Sequence, residues 1–198
     1  MRGSLGLLAP LGLSIVLLGG PLGLLAYHAV CAGAIVRHRR SLKPLFAWRA
    51  GLGLWTIGTT LAFLAGLASL LLIWDPASAR GPMSFPSVRA FALTAAYTLL
   101  LHASLEEIFW RGVFTEVESA RPLPALLGNA VTFYLVHVIV LTNAVGGWGW
   151  VAALPTAIAG LAWGWVTIRT RSIWPALVSH WAADAAILTG MGYYYLER

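Results

Sequence analysis

Apolar positions gather into six long runs: Leu5–Val36, Ala50–Trp74, Ala90–Val113, Ala125–Val145, Trp150–Ile168 and Ile173–Tyr195. Each reaches or approaches the roughly 20 residues that a helix needs to cross a bilayer core. The short segments between them hold Pro, Gly, Ser and charges, as in Asp75–Arg89. This pattern predicts an all-α fold: a polytopic transmembrane helical bundle of about six helices, forming one integral membrane domain over residues 1–198. The first run is too long for a signal-peptide core and ends on the cationic stop Arg37-His38-Arg39-Arg40, so it reads as a retained span, kinked near Gly19-Gly20-Pro21. Pro175 suits the first turn of the last helix. Pro155 falls inside the fifth run and predicts a kink there. Gly160 and Gly164 form a small-xxx-small pair suited to close helix packing. There is no internal repeat and no low-complexity tract.

Composition agrees with the pattern. Apolar residues make up 59% of the chain and charged residues 10%, against about 25% charged in a soluble domain. So few charges cannot cover a water-exposed surface, and the bulk of the chain must face lipid. The net charge of +6 does not point to nucleic acid, because the basic residues sit in the short loops. Nine of the 13 Lys and Arg fall on one side of a six-span arrangement, including the cluster Arg37, Arg39, Arg40, Lys43 and Arg49. The positive-inside rule then places that loop in the cytoplasm and both termini outside. Tryptophans near the run ends (Trp48, Trp74, Trp110, Trp148, Trp150, Trp174) fit an interfacial belt. The single cysteine, Cys31, excludes an intrachain disulfide and reads as a packing residue.

Against this background, six ionisable residues stand out. Glu106, Glu107 and Asp184, with His102, His137 and His180, lie inside the third, fourth and sixth runs. A charge at bilayer depth costs a few kcal/mol, so such residues are candidates for function; the bland alternative is a polar network that holds the bundle together. Spacing divides them. Glu107 and Arg111 are four apart and form a natural ion pair. Glu106 is turned about 100° away, in line with His102, and is left available as a base. His180 and Asp184 share a face, so the carboxylate can orient the ring. Phe133 and His137 share a face of the fourth helix. At 1.5 Å per residue, Glu106 and His180 each lie roughly 10 Å from the cytoplasmic ends of their helices, and His137 somewhat deeper. These groups could meet in a cavity open to the cytoplasm. None of the six lies in the first two runs.

The order Glu106-Glu107-x-x-x-Arg111, Phe133-x-x-x-His137, His180-x-x-x-Asp184 resembles the three motifs of the CAAX-protease and bacteriocin-processing (CPBP, or Abi) family, which includes the type II CAAX prenyl endopeptidases. The likeness covers roughly residues 95–188, a catalytic core with its site between helices 3, 4 and 6. It implies peptide-bond hydrolysis without a covalent intermediate, metal or other cofactor. Glu106 would activate a water that His137 helps to hold. His180 would stabilise the oxyanion with Asp184 assisting, and Glu107 and Arg111 would support the first motif. Asp184 departs from the Asn found in many relatives; ionised, it would repel an oxyanion, so it must be protonated or act by keeping His180 cationic. The expected partners are the lipid bilayer and a peptide or protein tail at the membrane: a prenylated CAAX tail, a bacteriocin leader or a C-terminal sorting tail. The expected location is the inner (cell) membrane of a bacterium or archaeon.

Two other readings keep the same residues. Glu106, His137 and His180 contain a two-His, one-carboxylate set of the type catalytic zinc uses, although no HExxH is present. A non-catalytic membrane partner or bacteriocin-immunity protein of the same family would retain the helices without cutting. A proton-coupled carrier is a poorer match, because there is no repeat symmetry.

Overall fold

The computed structural model describes residues 20–73, 87–114, 122–145 and 149–196. Six long helices account for most of them, with no strand among the described residues. Helix α1 is Gly20–Leu42 and leads into a 3₁₀ turn, Lys43–Phe46; α2 is Leu52–Ile73. Helix α3 occupies residues 88–114, and α4 is Pro122–Val145. A single turn, Gly149–Ala152, precedes α5, Leu154–Thr170, and α6 is Trp174–Leu196. The run boundaries read from the sequence fall close to these. The part of the first run before Gly20, and Trp74 and Trp148, lie outside the described residues.

Three stretches are long and apolar enough to cross a membrane: Val88–Val113, Leu123–Thr142 and Gly149–Thr170. The described part of α2 contributes a shorter apolar stretch, Leu52–Ala65. The surface is that of a lipid-facing bundle. Leu54 and Leu100 are 79% and 72% exposed, which would be costly in water and is favourable in hydrocarbon. Hydroxyls on these helices turn inward to the backbone: Thr56, Thr59, Thr94, Thr132 and Thr189 each donate to the carbonyl four residues back, at 2.6–2.9 Å. No water is needed to satisfy them.

Local chemistry sets the helix ends. Ser87 caps α3 by accepting from the Ala90 amide at 3.1 Å. Arg171, at φ 54°, closes α5 in the left-handed conformation, and its amide bonds the Thr167 carbonyl. Pro155 corrects one expectation. It sits in the first turn of α5 and does not kink a continuous helix; the chain breaks just before it, at Ala153. A proline lacks the N–H that a first turn leaves unpaired in any case, so the break is where it fits best.

Helix α2 lies along α6, α4 along α5, and α1 against the last part of α3. The turn after α1 docks on the start of α6, where Ile173 N–H donates to Leu45 O (3.0 Å) and Trp174 Nε1 to Phe46 O (2.8 Å). The small-residue pair meets α4. A Cβ built on Gly160 would stand 2.8 Å from the Ala130 Cα, whereas one on Gly164 would meet only the end of the Leu126 side chain, at 2.7 Å. Gly160→Ala is therefore expected to destabilise by about 1–3 kcal/mol, because backbone must move. Gly164→Ala should cost much less, because Leu126 can rotate. Thermal unfolding of the two variants in detergent checks this; equal losses would contradict the packing described.

Candidate active site

Helix α3 is not a uniform α-helix. It is α-helical over Val88–Ala96, π-helical over Tyr97–His102, α-helical again over Ala103–Glu107 and π-helical over Ile108–Phe114. π-Turns are rare and concentrate at functional sites. The two here bracket the five residues that carry Glu106 and Glu107. Because π-turns alter the backbone pairing, local carbonyls need other donors. Asn129, fully buried on α4, donates its side-chain amide to the Trp110 carbonyl.

The two glutamates are buried, at 1% and 0% exposure, and do different things. Glu107 Oε1 lies 3.2 Å from Arg111 Nη1 and 2.9 Å from His180 Nδ1. The Arg111 guanidinium stacks over Phe133 at 4.2 Å and faces Trp163 at 5.2 Å. Trp163 in turn stacks on the His180 ring, with centroids 4.7 Å apart and planes 23° apart. Its own Nε1 is held by Ser179 Oγ at 3.0 Å. Arg111, Glu107 and His180 thus form one buried network between aromatic faces, tying α3 to α4, α5 and α6.

Glu106 faces another way, toward α1. Its Oε1 accepts from the Tyr27 hydroxyl at 2.5 Å, and its Oε2 lies 3.6 Å from His102 Nε2. His137 Nδ1 bonds the Phe133 carbonyl at 2.8 Å. A carbonyl only accepts, so Nδ1 carries the proton and the neutral ring presents Nε2 as an acceptor. The contacts separate the two as the spacing predicts: Glu107 meets Arg111, and Glu106 is turned from it toward Tyr27.

His180 shares a face with Asp184 as the spacing predicts, but a second carboxylate lies closer. Its close partner is Glu107, through Nδ1; Asp184 Oδ1 stands 3.6 Å from Nε2, beyond hydrogen-bond length. Since Nδ1–H points at a carboxylate, Nε2 can donate only when the ring is an imidazolium. The first helix was also missed. His28 and Tyr27, adjacent on α1, are 6% and 2% exposed and reach the Glu106 side of the site. An ionisable His28 inside an apolar run was a usable signal; Tyr27 and Trp163 gave none, being ordinary apolar-run residues. Among the described residues, no three His, Cys, Asp or Glu side chains are grouped as a metal-ion ligand set.

A bundle of lipid-facing helices with two buried glutamates and several histidines inside it is that of an integral membrane protein. Comparison with protein families makes the class specific: the model for type II CAAX prenyl endopeptidases, Rce1-like, matches residues 88–186, half of the chain. The chain belongs to that family, and at this level it is a membrane protease. The match spans all three motifs and leaves α1 and α2 outside it. No curated protein and no solved structure matches the chain.

Proposed function

We propose that the protein is a metal-independent, glutamate-type intramembrane endopeptidase that cuts a peptide or protein tail at the membrane. Glu106 takes a proton from a water that the His137 Nε2 acceptor helps to hold, and the resulting hydroxide adds to the scissile carbonyl carbon. The oxyanion forms beside His180, whose imidazolium is flanked by Glu107 and Asp184. The C–N bond then breaks as Glu106 returns the proton to the departing amine. The observation that carries this reading is the separation of the two glutamates: Glu107 Oε1 is shared between Arg111 and His180, while Glu106 Oε1 takes its hydrogen bond from the neutral Tyr27 hydroxyl; Oε2 of each has no hydrogen-bonded donor among the described residues. Such a desolvated site makes aligned donors and charges effective.

A groove of about 850 Å³ between α2 and α5 supports lateral access for an apolar substrate segment. Trp55, Phe63 and Trp165 line it, and Trp163, the residue stacked on His180, forms part of its wall. A site in the inner half of the bilayer, open to the cytoplasm of a bacterium or archaeon, fits the loop charges. A prenylated CAAX tail, a bacteriocin leader and a sorting tail all remain compatible substrates.

The experiment is cleavage of internally quenched peptides of these three kinds by the protein in lipid vesicles, with and without EDTA or 1,10-phenanthroline. Hydrolysis of at least one peptide that persists in chelator is expected. Loss in chelator with recovery on added zinc would establish the metal reading instead, and no cleavage of any would favour a non-catalytic partner.

A further inference from the structure

One hydrogen-bonded chain ends on Glu106 and a second comes within 3.6 Å of it, and both pass through α1. In the first, Trp110 Nε1 donates to the Tyr27 oxygen at 2.9 Å, and the Tyr27 hydroxyl donates to Glu106 Oε1 at 2.5 Å. Its direction is fixed, because an indole N–H can only donate. In the second, the Tyr97 hydroxyl lies 2.7 Å from His28 Nδ1, His28 Nε2 lies 2.9 Å from His102 Nδ1, and His102 Nε2 faces Glu106 Oε2 at 3.6 Å. The last gap is an electrostatic contact and not a full hydrogen bond.

The direction of the second chain follows from the carboxylate. An ionised Glu106 only accepts, so His102 turns an Nε2 proton toward it. Neutral His102 then accepts at Nδ1, which makes His28 the donor at Nε2. Neutral His28 in turn accepts at Nδ1, which makes Tyr97 the donor. Every link is satisfied without a charge on either histidine. Running protons along this chain into Glu106 would leave a tyrosinate in the membrane, so the chain is not a proton channel.

We propose that Tyr27 and His28 are positioning residues for the Glu106 carboxylate: Tyr27 donates to Oε1, and His28 orients His102, whose Nε2 faces Oε2 electrostatically. The inference rests on Glu106 being the base. It adds that the carboxylate is surrounded by donors already carrying their protons. The proton that Glu106 captures from water then has no acceptor among them and stays available for the leaving amine. Adjacent positions on one helix supply the middle of both chains, so the docking of α1 sets the aim of the base. Neither residue lies within the family-matched 88–186.

The test compares Tyr27→Phe, His28→Leu and His28→Gln in vesicles with Glu106→Gln, and reads histidine tautomers by ¹⁵N NMR in detergent. Tyr27→Phe and His28→Leu are each expected to lower kcat about 10- to 100-fold at unchanged KM, the scale of a misaimed group. His28→Gln, whose amide can accept from Tyr97 and donate to His102, should recover most of the rate. The NMR should show His28 and His102 both protonated at Nε2 in the wild type, with His28 becoming a tautomer mixture in Tyr97→Phe. Wild-type rates in both Tyr27→Phe and His28→Leu while Glu106→Gln is inactive, or an Nδ1-protonated His102, would overturn this proposal alone. An active Glu106→Gln overturns the underlying mechanism instead, whatever the tautomers show.

Discussion

Glu106→Gln is expected to lower the rate of peptide hydrolysis about 10²- to 10⁴-fold, the range for removing a general base, while the protein still folds and binds. The amide matches the carboxylate in shape. Its oxygen can take the place of Oε1 and still accept from Tyr27, so the contact with α1 survives. What is lost is the basic electron pair that receives the water proton. The loss should therefore fall on kcat, with KM little changed. Single-turnover cleavage in vesicles, alongside thermal unfolding of the same preparation, separates chemistry from folding. Cleavage at the wild-type rate would show that another group activates the water.

Arg111→Met should be the most damaging substitution for stability, with an expected cost of about 3–5 kcal/mol, as for a buried pair with one partner removed. Arg111 is fully buried, its guanidinium lies 3.2 Å from Glu107, and two aromatic faces cover it. Methionine keeps some of the volume against Phe133 and Trp163 but leaves Glu107 with only His180 as a partner. The double variant Glu107→Gln/Arg111→Met removes both charges and should recover much of the stability. It should not recover activity, because His180 has lost the carboxylate that holds its Nδ1 proton. Unfolding midpoints in detergent for the two variants check this. A double variant no more stable than the single one would mean that Arg111 acts through packing and not through charge.

Much of this arrangement was legible in the sequence because helices convert spacing into faces. Glu107–Arg111 and His102–Glu106 are both four apart, and both contacts occur. The six apolar runs became six helices because nothing but lipid can surround them. The rest was hidden for identifiable reasons. A regular α-helix turns every 3.6 residues, whereas α3 carries two π-helical segments beside the glutamates. His180 and Asp184, also four apart, approach to 3.6 Å, but the shorter bond of His180 is to Glu107, 73 residues away. Trp163 looked like any tryptophan in an apolar run until its ring was found on His180. Tyr27 is 79 residues from the carboxylate it touches, and no local pattern encodes such a contact. His28 was visible as an ionisable group in an apolar run, but without Tyr97 and His102 beside it there was no chemistry to assign.

The hydrogen bond between Tyr27 and Glu106 also bears on inhibition. A molecule that blocks a hydrolase by occupying its water or oxyanion position meets groups that every relative with the same motifs presents, and so discriminates poorly. The seam between α1 and α3 offers a different target. A wedge that parts the two helices by an ångström or two breaks the contact at Oε1 without entering the catalytic cavity. One wall of that seam comes from residues 88–186 and the other from a helix outside the family match. A compound shaped to this seam would act on Glu106 while taking its selectivity from a helix that lies outside the matched residues.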